Sequence, residues 1–196
     1  MLGEKRLACT LETPEDPLRH VPVLIDADGA TATGLWAVID RLETEYPEHP
    51  LVPEEPGERA EAFRLLDWLM TKFHDEVTKR VVFEKAAQAQ TGNPLRRPPN
   101  MEAVRSGRAA LIGLLRLLAP LPEERGFLAC RELSLADLAL AAHLSALDYY
   151  GEVPWTDIPA IAEWYTRIKS RPSFRTLLAD RVPGQPPVLH YAELDF

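Results

Sequence analysis

The sequence predicts an α+β fold: a small α/β portion over residues 1–46, a proline-rich linker over 47–57, an all-helical domain over 58–181 and a proline-rich tail over 182–196. Three observations predict it. A short apolar strand with a hairpin turn lies before residue 34, and from residue 58 onward apolar residues recur at helical spacing. Prolines, 18 of 196 residues and about twice ordinary usage, stand where elements end.

Taken in order, residues 6–12 (RLACTLE) read as a weak first strand, stopped by the TPEDP that follows. Val21-Pro-Val-Leu-Ile-Asp26 is the second strand, and Ala27-Asp28-Gly29 supplies a hairpin turn into Ala30–Thr33. Pro22 cannot donate to a ladder, so it demands an edge, a bulge or a special peptide geometry. From Leu35 the period becomes helical, with Leu35, Val38, Ile39 and Leu42 on one face. After the linker, residues 58–89 carry Ala62, Leu66, Leu69, Phe73 and Val77 in one stripe, and 101–118 carry Val104, Leu111, Ile112, Leu115 and Leu118, ended by Pro120 and Pro122. Ser134-Leu-Ala-Asp137 then opens a helix over 135–149. Its spacing is that of a capping box, in which each side chain satisfies a backbone donor of the other residue. That helix is apolar nearly all round, so it belongs at the centre of the domain. A further helix follows over 158–170, and Pro172 can start a short one. The tail shows no helical period.

Composition excludes several classes. Hydrophobic content of 46% and charged content of 27% are those of a globular protein. No apolar run is long enough to span a bilayer, and the N-terminus is too acidic for an export signal. Two cysteines, Cys9 and Cys130, are too few for a disulfide framework and point to the cytoplasm. The net charge of -8 lies wholly at the front, where residues 1–60 hold 5 Lys/Arg against 13 Asp/Glu and the remainder holds 17 against 17. Acidity of this kind argues against nucleic-acid binding.

Candidate chemistry is sparse. No glycine-rich phosphate loop is present. The five histidines stand apart from one another and from the cysteines, so no metal site is expected. His143, Ser145 and Asp148 share a helix at spacings that point their side chains apart, which disfavours a triad. Asp137 is explained as a cap partner of Ser134, and Cys9 has no basic neighbour to activate it. No catalytic residue is assigned.

Together, Val21-Pro22-Val23-Leu24, the hairpin, a helix ending at Tyr46-Pro47 and the helical domain built on Ser134-Leu-Ala-Asp137 resemble the glutathione transferase superfamily. That resemblance implies a thioredoxin-like N-terminal portion with a cis Val21–Pro22 bond at a glutathione site, followed by the family's helical bundle. It also exposes departures. The family's first strand and its thiolate-stabilising Ser, Tyr or Cys have no counterpart here, so the N-terminal portion reads as truncated or its start as misassigned. Alignment places Gly34-Leu35 where the family holds the γ-glutamyl end of glutathione with an acid or Gln followed by Ser. Val21 and Pro22 are then a vestigial glutathione site, and glutathione is a cofactor only under an alternative reading as a transferase or thiol-dependent reductase.

A narrower resemblance rests on Trp68–Val77, Phe83-Glu84-Lys85, Leu147–Trp155, Lys169–Arg175 and the ending His190-Tyr-Ala-Glu-Leu-Asp-Phe196. These are similar to a branch of the superfamily whose members are dimers that bind filaments of the tubulin homologue FtsZ and support constriction. It implies a homodimer at the division site with FtsZ as partner, and it admits cell-wall synthesis proteins as further partners. Tyr191, Glu193, Leu194, Asp195 and Phe196 are the expected partner contacts.

Overall fold

The structure is a computed structural model that describes residues 1–12, 22–89 and 98–193. The chain divides into two compact units, Met1–Val52 and Pro53–Phe196. This boundary falls inside the proline-rich segment for a local reason. Glu43 accepts the backbone N–H groups of Leu51 and Val52 at 3.2 and 3.3 Å, which fastens that stretch to the first unit.

In the first unit, β1 (Val23–Ile25) and β2 (Thr31–Thr33) form an antiparallel hairpin with Val23 opposite Thr33 and Ile25 opposite Thr31. The turn closes through Gly29 N–H on the Asp26 carbonyl at 2.9 Å, with Gly29 at φ 83°, where a side chain would be strained. Strand alternation buries Ala32 and leaves Val23, Ile25, Thr31 and Thr33 outside. α1 (Leu35–Glu45) buries Ile39 and Leu42 of the expected stripe.

The expected strand at 6–12 does not form. Residues 2–6 wind into a turn, with Leu7 N–H on the Leu2 carbonyl at 3.0 Å, and 7–12 have no strand partner among the described residues. Lys5 explains the turn. Its side chain is buried, 3.0 Å from Glu43 and donating to the Tyr46 carbonyl at 2.7 Å, so it both neutralises a carboxylate and satisfies a carbonyl at the end of α1.

In the second unit, α2 (Pro56–Trp68) continues as a π-helical stretch (Leu69–Phe83) into α3 (Glu84–Ala89). Pro56 sits in the first turn, where its missing N–H costs nothing, and Glu55 accepts the Glu58 N–H at 2.6 Å. All five residues of the predicted stripe are buried. α4 (Met101–Leu118) is capped by Asn100, which accepts the N–H groups of Glu102 and Ala103 at 3.1 Å each. α4 ends ahead of Pro120 and Pro122 as expected, and the same prolines open α5 (Pro120–Arg125), since proline suits a first helical turn.

α6 (Leu135–Tyr149) occupies the centre, with Leu140, Ala141, Leu144 and Leu147 buried against α2 and the π-helical stretch. α7 (Pro159–Lys169) and the short α8 (Pro172–Arg175) complete the bundle. The segment after α8 is not separate from this unit. It returns through a Val182–Gln185 bridge to a 3-10 turn at Leu189–Ala192. No helix among the described residues is long and apolar enough to cross a membrane.

Candidate functional site

The positions expected to face glutathione lie at the start of the hairpin and of α1. Val21, and with it the geometry of the Val21–Pro22 bond, lies outside the described residues. Pro22 is exposed, and its carbonyl accepts the Gly34 N–H at 2.8 Å. Gly34 is the cap residue of α1 at φ 90°, and Leu35 is a half-buried hydrocarbon. Neither offers a side-chain group that binds a carboxylate or an ammonium. Four polar side chains of this unit are engaged with one another. Asp26 accepts the Tyr46 hydroxyl at 2.5 Å and Arg41 Nε at 3.0 Å, while Arg41 also holds Asp28 at 2.7 Å. The Tyr46 hydroxyl, ahead of the other donors, holds the Asp26 carboxyl below its usual range.

Ser134 and Asp137 meet as a capping box at the start of α6, and Asp137 does more than the cap requires. Its Oδ2 accepts both the Ser134 N–H at 2.9 Å and the Ser134 hydroxyl at 2.7 Å. Its Oδ1 accepts the Leu128 N–H at 2.9 Å and the Trp164 indole N–H at 3.0 Å. Burial pushes this carboxyl up, and the four donors oppose that shift by favouring its charged form. One side chain thereby joins the loop before α6, α6 itself and α7. The sequence signalled Ser134 alone; Leu128 and Trp164 carry no local mark of this role.

The expected partner contacts separate. Tyr191 faces inward: it is buried, its hydroxyl shares a hydrogen bond of 2.9 Å with Ser145, and its ring stands edge-on to Tyr149 at 5.1 Å. The structure thus places this expected partner contact in the core, where an aromatic ring with a reachable hydroxyl partner is stable. Glu193 is exposed, and Leu194, Asp195 and Phe196 lie outside the described residues. Beneath this segment Asp148 and Lys169 form an ion pair of 3.5 Å with both side chains fully buried. Burial pushes the Lys169 ammonium down, and Asp148 opposes it.

His143, Ser145 and Asp148 do not assemble. His143 Nδ1 shares a hydrogen bond of 2.8 Å with Thr78, Ser145 turns to Tyr191, and Asp148 accepts the Trp155 indole N–H at 2.8 Å. The His143 ring lies 5.4 Å from that of Phe73 and 6.0 Å from that of His74, and burial, with a smaller contribution from His74, pushes it down to about 4. Cys9 is exposed and Cys130 buried, with its thiol pushed up by burial. Among the described residues no three His, Cys, Asp or Glu side chains gather as metal ligands.

Known proteins share this arrangement. The pattern described as "Glutathione S-transferase, C-terminal domain" matches residues 101–172. FtsZ-localized protein A of Caulobacter vibrioides is 46% identical over 209 residues, spanning 100% of this chain and 90% of that protein. The crystal structure of a glutathione S-transferase from Rhodospirillum rubrum is 40% identical, covers 100% of this chain and 91% of its own, and superimposes with a TM-score of 0.91. The chain belongs to the glutathione S-transferase family. The solved structure of FzlA from C. crescentus is likewise 40% identical, with a TM-score of 0.90 and coverage of 100% and 91%. The matched glutathione S-transferase region contains the α6 cap and the Asp137 hub, whereas Pro22, Gly34 and Leu35 lie before it.

Proposed function

We propose that this chain is a non-catalytic member of the glutathione S-transferase family that binds FtsZ filaments and supports bacterial constriction. The observation that carries the reading is its 46% identity, across its whole length, to a protein named for its localization with FtsZ. Gly34 and Leu35 support it, because they bring no polar side chain to the position where the family grips glutathione. Glu193, Leu194, Asp195 and Phe196 are the contacts offered to the filament, an acidic and apolar ending suited to a short-peptide mode of docking. The active form is a homodimer in the cytoplasm at the division site. Two such endings on one dimer raise the effective concentration of the second contact and allow filaments to be bridged. Cell-wall synthesis proteins of that site are the further partners of this reading.

Co-sedimentation with FtsZ polymerised by GTP tests it. The chain is expected in the pellet at low salt, and Asp195→Lys is expected to reduce the pelleted fraction with the thermal midpoint unchanged. Absence of the parent chain from the pellet overturns the reading, and a lowered midpoint in Asp195→Lys assigns the ending to the fold instead.

A second reading, glutathione-dependent catalysis, is favoured by the R. rubrum structure, which is described as a glutathione S-transferase. Titration calorimetry with glutathione separates the two, since saturable heat supports transferase chemistry and its absence supports the filament-binding reading.

A further inference from the structure

Residues 182–193 are attached to the rest of the second unit by a short set of contacts, three of which pass through Tyr149 and one through Ser145, whose hydroxyl meets that of Tyr191 at 2.9 Å. The Tyr149 hydroxyl donates to the Gln185 carbonyl at 2.6 Å and accepts the Val182 N–H at 2.9 Å, and the Tyr149 carbonyl accepts the Val188 N–H at 3.1 Å. Gln185 Nε2 adds a bond to the Lys85 carbonyl at 3.0 Å. Tyr191 is the buried ring of the segment, and two residues before it Leu189 is 97% exposed. Val188 packs so closely on Gly151 that a Cβ there would stand 2.9 Å from its methyl group. The segment covers the Asp148–Lys169 pair, and His190 Nε2 lies 3.3 Å from Asp148 Oδ1 with 41% of its side chain in solvent.

We propose that residues 182–193 form a strap that lifts from α6 as a unit without global unfolding. This follows from how the segment is held. A stretch with one buried ring and several of its hydrogen bonds gathered on Tyr149 opens before helices whose faces are buried throughout, and loss of the Tyr149 contacts releases Val182, Gln185 and Val188 together. The proposal needs no partner and is independent of FtsZ binding.

Amide hydrogen exchange on the full chain tests this once each rate is divided by its intrinsic value. The amides of Val182, Val188 and Tyr191 are expected to exchange at least about tenfold faster than those of Leu140–Leu144. Tyr149→Phe, which removes only the hydroxyl, speeds strap exchange about tenfold, the scale of a hydrogen bond, and leaves α6 unchanged. Equal protection in strap and α6 overturns detachment, as does a parallel loss in both on Tyr149→Phe.

Discussion

His143 shows how one side chain sets a pH response without taking part in chemistry. It is held neutral by burial, with Thr78 on Nδ1 and the rings of Phe73 and His74 nearby. Its folded-state value is about 4 against an ordinary 6.5, so between those limits the unfolded chain binds the extra proton and the folded chain does not. The contribution of His143 is complete above about pH 6.5, is lost progressively as pH falls toward 4, and changes no further below that. Urea unfolding across this interval is expected to show a declining stability whose slope flattens in His143→Gln. An unchanged slope in that variant rules His143 out as the source. Asp137 is the opposite case among buried groups, since four donors converge on it and make it a fixed joint of the fold.

At the scale of elements, α4 and the π-helical stretch pack closely at one glycine and leave another open. A Cβ on Gly107 would stand 2.7 Å from a Val81 methyl and 3.0 Å from Arg80 Cβ, whereas a Cβ on Gly113 meets nothing within 4 Å. Glycine to alanine inside a helix is worth about 1 kcal/mol of stability where space allows. Overpacking a tight contact costs about 1–3 kcal/mol, so the two effects oppose each other at Gly107 and the second is the larger. Gly107→Ala is therefore expected to lower the thermal midpoint and Gly113→Ala to raise it. Opposite signs in differential scanning fluorimetry confirm the contact, and a gain at both positions contradicts it. Proline follows a similar positional logic: Pro56, Pro120, Pro159 and Pro172 all stand in a first helical turn, where the ring presets φ and no donor is lost.

For the whole molecule the two units are unequal. Among the described residues the first buries Ala32, Ile39, Leu42 and Leu51 and little else that is apolar, and its hairpin leaves Val23 and Ile25 more than half exposed. The second encloses Phe73, Trp164, Tyr165 and the length of α6 in one continuous core. Few buried apolar contacts and a short hairpin define a region of low local stability. Amides of residues 22–52 are accordingly expected to exchange faster than those of α6 and α7 by orders of magnitude. Protection in that unit equal to the helices contradicts this ranking. The acidity follows the same division, because residues 1–52 hold 4 Lys/Arg against 10 Asp/Glu.

Much of this architecture was written locally. Helical periodicity placed 101–118 and 135–149 at the bounds the structure shows, the hairpin followed from its turn residues, and the Ser134–Asp137 spacing announced the cap. Each of these signals is complete within a few residues, so the chain states it wherever the segment lies. What the tertiary structure alone decided depends on which elements meet. Residues 6–12 have strand composition but no ladder to join, and the buried Lys5–Glu43 pair settles the preceding residues into a turn. The setting of Tyr191 comes from Ser145 and Tyr149, more than forty residues earlier. The extra donors on Asp137 come from Leu128 and Trp164 by the same route. Local pattern determined the elements and the family of this protein, whereas the partner of each buried polar group was decided by packing, because a hydrogen bond between distant residues leaves no period or spacing in the sequence.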